Sequence, residues 1–229
     1  MAFIIKDTPV KVAEREIFQD EDGYIAFPSN EMAVFDREQF IPIGVLSYQQ
    51  FDRHSNEKIF IAVPNLQGIP DGDYGAITYS FVSESDGWRL DDEFANDSKL
   101  DEGEDYIDRY QQSREFFTQH QYLEAYGRKA PLFVIGGQPP LGQNWDAILY
   151  DEMGDNPELD HYHDVTSDRD DPEFESMSSR EITYFDEETE QEFIFLGYFS
   201  DTPYLELSGT FMVFYQPESK KVMLVVEYD

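Results

Sequence analysis

The sequence predicts a mixed fold in which strands dominate and one long helix interrupts them. Short apolar runs rich in Ile, Val, Phe and Tyr recur along the chain, bounded by Gly, Pro, Asn or Asp, which is the pattern of strands separated by turns. A single stretch, 104–128, has no Gly or Pro until Gly127 and is rich in Gln, Glu, Arg and aromatic residues. The chain is also 40% hydrophobic, with 19 Phe, 15 Tyr and 2 Trp, so it can bury a large apolar surface despite a formal charge of −33.

In chain order, strands are expected over Ile41–Tyr48, Ile59–Val63, Ala76–Val82, Leu132–Ile135, Ala147–Tyr150, Ile182–Phe185, Phe193–Phe199, Thr210–Tyr215 and Val222–Tyr228. A short helix is expected near Lys11–Phe18. The longer helix is expected over about 104–127. Tyr106, Tyr110 and Phe117 fall near one face, and Glu102, Glu104 and Asp105 suit the positive end of the helix dipole. Gly127 is placed to cap its C-terminus, with Arg128 and Lys129 beside the negative end and Pro131 beyond. The last two strands form a hairpin across the polar turn Gln216–Lys221, and their unbroken apolar runs imply burial on both faces, hence a central place in the sheet. At 229 residues the chain is expected to form one domain over 1–229, or two closely packed lobes at about 1–130 and 131–229.

The charge balance, 49 Asp+Glu against 16 Lys+Arg, excludes two partner classes. Nucleic acid is held through clustered Lys and Arg, and anionic membrane through polybasic segments, so neither is an expected partner. No apolar run approaches the roughly 20 residues that span a bilayer, and Met1–Asp7 lacks the apolar core of a signal peptide. With no cysteine there is no disulfide scaffold, thiol nucleophile or thiolate metal site, which fits a cytoplasmic location.

The acids are unevenly distributed. Asp91–Asp108 and Asp151–Glu175 together span 43 residues and hold 20 of the 49 acids but 2 of the 16 bases, a net charge of −18. Both are poor in strand formers and are expected to be acidic surface loops. Their concentration, with so few compensating bases, points to a binding surface rather than a merely solvated one. The partner-binding candidates are Asp91, Asp92, Glu93, Asp97, Asp101, Glu102, Glu104 and Asp105 in the first stretch. Those in the second are Asp160, Asp164, Asp168, Asp170 and Asp171.

Catalytic chemistry finds little footing, and no catalytic residue or cofactor is expected. There is no G-x-S-x-G, and Gly136–Gly142 has neither the lysine of a phosphate-binding loop nor dinucleotide spacing. His120 is expected to lie mid-helix in a structural role. His161, His163 and Asp164 are weak candidates for a divalent cation, because their spacing matches neither a helical H-E-x-x-H pair nor an EF-hand loop. The segment Gly136, Gly137, Pro139, Gln143, Trp145 reads first as a structural corner and second as a pocket. Two glycines permit positive φ or a close backbone approach, prolines stiffen the exit, and Trp145 offers an apolar anchor.

The same segment, Ile135-Gly136-Gly137-Gln138-Pro139 followed by Gln143, resembles the glycine-glycine-x-proline…glutamine corner of the YwqG-like proteins, a bacterial family of unknown function. The closing pattern of Phe193–Phe199, Gly209–Tyr215 and Val222–Val226 is similar to that family's last strands, so the resemblance covers about the C-terminal 100 residues. It implies an α+β fold built on antiparallel sheets. It carries over no catalytic residue. The family also includes candidate immunity genes of bacterial toxin systems, an association with function by analogy alone.

The function expected is therefore non-catalytic: an acidic binding protein, an immunity protein or inhibitor that neutralises a basic toxin such as a nuclease. A dense carboxylate surface can occupy a groove built for phosphates and be steered to it. The alternative is a small-molecule or divalent-cation-binding module at the Gly136–Trp145 corner and the His161/His163 segment. Adaptation to high salt is a third reading, against which the heavy use of Phe and Tyr argues.

Overall fold

At the centre of the molecule lies the hairpin that the sequence places there. The computed structural model describes residues 2–6, 10–66, 76–91, 104–139, 157–178, 180–186, 189–206 and 208–228. The strands among these residues are β1 (Ala2–Lys6), β2 (Arg15–Ile17), β3 (Tyr24–Ala26), β4 (Phe40–Ser47), β5 (Lys58–Pro64), β6 (Ala76–Ser83), β7 (Gly87–Leu90), β8 (Leu123–Ala125), β9 (Arg128–Ala130), β10 (Phe133–Ile135), β11 (Glu181–Asp186), β12 (Gln191–Glu192), β13 (Ile194–Ser200), β14 (Gly209–Gln216) and β15 (Lys221–Tyr228). Its helices are α1 (Glu104–His120), α2 (Pro157–Ser167), α3 (Phe174–Met177) and α4 (Thr202–Leu205). Every described strand ladder is antiparallel. The fold is α+β.

The main sheet has seven strands in the order β2-β10-β13-β14-β15-β6-β7, which puts β14 and β15 at its middle. Alternation along these two strands sends side chains to two separate cores. Phe211, Val213 and Tyr215, opposite Val226, Leu224 and Val222, enter the first core. Met212 and Phe214, opposite Val225 and Met223, enter the second. Strands from both sides of residue 130 interleave in this sheet.

The three-stranded sheet β3-β4-β5 covers the first face. Rings join the layers: Tyr79 lies 5.1 Å from Phe40, and Tyr24 stacks on Phe133 at 5.4 Å. The Tyr79 hydroxyl donates to the Phe60 carbonyl at 2.8 Å, so this buried phenol is satisfied. α1 closes one side of the same layer. Its Tyr110 and Phe117, two turns apart, meet Phe27 at 5.4 and 5.3 Å, and Tyr204 of α4 meets the same ring at 5.4 Å. The second face is covered by α2, α3 and the β1-β11-β12 sheet, whose Tyr184 packs edge-on to Phe214 at 5.2 Å.

Four expectations need correction. The long helix ends at His120, not near Gly127, because Gln121 adopts φ 61° and its amide donates to the Phe117 and Thr118 carbonyls. Residues 123–130 instead form a β8–β9 hairpin with a two-residue Tyr126–Gly127 turn, both residues at positive φ. His120, consequently, is terminal rather than mid-helix, and stacks on Phe116 at 4.3 Å. Around Lys11–Phe18 the chain is extended, since 15–17 add an edge strand beside β10. The stretch Asp151–Glu175 is not simply a loop, for it contains α2 and the start of α3. The strand expected at Ala147–Tyr150 lies outside the described residues.

Candidate functional site

Acidic residues of the second stretch are carried on a scaffold anchored from beneath. In α2, Tyr162 and Val165 stand at i and i+3 and are 2% and 4% exposed, buried in the second core with Met177 of α3. Asp160 and Asp164, at i and i+4, lie on the exposed side. The Asp168 carboxylate accepts the Asp170 N–H at 3.0 Å and that of Asp171 accepts the Glu173 N–H at 2.7 Å, so both shape the turn into α3. Between Pro157 and Ser178 there are eight carboxylates and one arginine, and seven of those acids are exposed.

The charge at the two ends of α2 acts in opposite directions. Glu158 and Asp160 in the first turn favour the positive end of the α2 dipole. Asp164 and then Asp168, Asp170 and Asp171 crowd the negative end, where α2 has no basic residue. Each anion in a last turn costs about 0.3–1 kcal/mol at low ionic strength. Two contacts lie nearby on the surface. His161 lies 3.4 Å from Glu173, both more than half exposed, and Arg180 lies 4.0 Å from Glu158, so these are weak surface pairs.

Candidates of the first stretch divide differently. The Asp91 carboxylate is engaged within the chain, accepting from the Ser80 hydroxyl at 2.8 Å and lying 3.9 Å from Lys221 Nζ. Lys221 also lies 3.8 Å from the buried Asp186, whose carboxylate accepts from the Ser219 hydroxyl at 2.9 Å. Glu104 and Asp105 open α1. Asp92, Glu93, Asp97, Asp101 and Glu102 lie outside the described residues.

The glycine corner has a structural cause. Gly136 and Gly137 have φ 73° and 78°, and a Cβ on Gly136 would sit 2.5 Å from the Val12 carbonyl oxygen. Their N–H groups donate to Leu196 and Val12 carbonyls at 2.8 and 2.9 Å, tying β10 to β13 and to the N-terminal segment. The adjoining crevice, about 20 Å³, borders the buried Thr183 and fits about one water molecule. Pro139 is buried, while Gln143 and Trp145 lie outside the described residues. No group of three or more His, Cys, Asp or Glu suited to a metal occurs among the described residues, where the His163 side chain is not included.

Two further features carry no local sequence signal. A cleft of about 480 Å³ opens between β5, β6–β7 and the β14–β15 turn, walled by Phe81, Trp88 and Tyr215. There the Tyr215 hydroxyl donates to Glu57 at 3.2 Å, and Lys220 Nζ lies 5.2 Å over the Phe81 ring. Asp201, ahead of α4, is fully buried. Its Oδ1 accepts the Gly209 N–H at 3.0 Å, its Oδ2 has no partner among the described residues, and burial pushes its pKa up to about 7. The Asp-Thr-Pro sequence marks the helix start but not the burial.

No helix among the described residues is long and apolar enough to cross a membrane. Comparison with protein-family models, with curated proteins and with solved structures finds no match to the chain.

Proposed function

We propose that this protein is a non-catalytic inhibitor of the immunity type, which neutralises a basic toxin such as a nuclease by presenting the acidic face of α2, the following turn and α3. The observation behind this reading is the run of carboxylates at the negative end of α2, which destabilises the helix in the free protein. A cationic partner turns that cost into attraction. Lysines and arginines that hold phosphates in a nuclease groove supply the complementary field and accelerate encounter. The likeness of the Gly136–Gln143 corner and closing strands to YwqG-like proteins supports the same reading by association, since candidate immunity genes occur in that family.

The test uses a panel of basic nuclease toxins, any encoded beside this gene included, and the triple variant Asp160→Asn, Asp164→Asn, Asp170→Asn. These three side chains are exposed and shape no turn. Stability should change by no more than about 0.5 kcal/mol per site. Association with the nuclease should slow at least about tenfold, with a weaker dependence on salt. Inhibition that is equally fast and equally salt-dependent with the triple variant would overturn the assignment of the face.

A further inference from the structure

On the opposite side of the main sheet from the acidic face, a cavity of about 230 Å³ lies between α1 and the segment leading into β4. Its floor is apolar and buried: Phe35, Phe40 and Tyr110 are 6%, 2% and 8% exposed. Its rim carries Asn30, Arg37, Asn65, Gln111 and Arg114. None of its described lining residues is acidic, in a chain where 49 of 229 residues are Asp or Glu.

Among the described residues the two arginines, like Arg53, Arg128 and Arg169 and unlike the other four, have no ion pair. Arg15, Arg89, Arg109 and Arg180 each have a carboxylate within 4.0 Å. Among the described residues neither Arg37 nor Arg114 has one, although both reach the same cavity from separate elements. Arg37 Nε donates to Asn30 Oδ1 at 3.4 Å, and among the described residues its terminal nitrogens make no hydrogen bond. Asn65 is held by donating Nδ2 to the Glu38 carbonyl at 3.0 Å.

We infer that this cavity binds a small organic anion: a carboxylate or phosphate oxyanion held by Arg37 and Arg114, on a flat apolar body resting against the aromatic floor. Guanidinium forks match the geometry of planar and tetrahedral oxyanions, and charge-assisted bonds of this kind are about twice as strong as neutral ones. The volume falls below the roughly 300 Å³ of a drug-sized pocket, which sets the ligand at one ring or a short chain. A chain with so large a negative charge repels free anions, and a cavity with two arginines and no acid among its described lining residues supplies the local exception.

The probes are benzoate, phenyl phosphate, inorganic phosphate and the neutral benzamide, titrated into the intact protein and followed by backbone amide NMR shifts. Benzoate and phenyl phosphate should give saturable shifts at Asn30, Arg37, Gln111 and Arg114, with benzamide at least about tenfold weaker. The double variant Arg37→Gln, Arg114→Gln should weaken both anions at least about tenfold while retaining its melting temperature, since neither guanidinium has an ion pair among the described residues. Single Arg→Lys variants should fall between. Absence of saturation with both aromatic anions, equal binding of benzamide, or binding unchanged in the double variant would overturn the site. Inorganic phosphate binding as tightly as phenyl phosphate would overturn the apolar body. Neutralising Asp160, Asp164 and Asp170 should leave these titrations unchanged, which separates this site from the acidic face.

Discussion

The two faces of the main sheet are built to different standards. Among the described residues, 37 buried side chains form the first core and ten form the second. Rings make up 15 of the 37 and five of the ten, and at the centre of the larger core Phe60 meets Phe35, Phe40, Tyr79 and Trp88 within 6.4 Å. Three of the ten in the second are methionines, Met177, Met212 and Met223, and the first contains none. Methionine fills irregular gaps and tolerates rearrangement, whereas interlocked aromatic rings do not. The first face therefore carries stability. The second attaches an acidic layer through a few adaptable contacts.

The largest effect should come from breaking the first face. Phe60→Ala removes a ring with no exposed surface from the centre of that core and should cost about 3–5 kcal/mol, read by chemical denaturation. A loss below about 1 kcal/mol would remove the contrast between the faces.

Next in size is a pH dependence that belongs to the first side, where Asp201 adjoins Tyr204 and Leu205 of that core. The folded protein holds the Asp201 proton up to about pH 7, while the unfolded chain releases it near its ordinary 3.8. The folded state thus binds more protons between these values, so stability falls as pH rises from about 4 to about 7 and then levels. Asp201→Asn removes this loss. Relative to the variant, the parent protein should lose up to about 4 kcal/mol across that window, measured as the pH profile of the stability difference. A flat difference would show that the carboxylate is not protonated by burial.

The smallest effect sharpens the second face. Val165→Ala deletes two buried methyl groups and should cost about 1.6 kcal/mol. Hydrogen exchange should quicken in α2 and α3 ahead of β14 and β15, because the helix pair rests on few other contacts. Uniform quickening throughout the sheet would mean that the two faces unfold as one.

Legibility followed the strength of the local pattern. The β14–β15 hairpin was readable because unbroken apolar runs on both sides of a polar turn have one economical solution, double-sided burial. α2 was not, because Tyr162 and Val165 alone among its described side chains mark an inner face, and the surface that orders them is supplied by Phe195 and Phe214, distant in sequence. The end of α1 was misread for a related reason. Tyr126–Gly127 serves as well in a hairpin turn as in a helix cap, and the choice fell to Leu123, which is 1% exposed in the first core. In the candidate site, the concentration of acid was plain, but the internal ion pair of Asp91 depends on Lys221 across the sheet.

By itself the sequence determined the strand-rich α+β class, the central hairpin and the acidic excess, because each follows from composition or from periodicity within a few residues. Only the tertiary structure decided which charges are committed and which are free. It brought Lys221 to Asp91 and Asp186, buried Asp201, and set Arg37 and Arg114 on one cavity without a carboxylate. The physical reason is that charge interactions fall off within angstroms in space and are indifferent to separation along the chain.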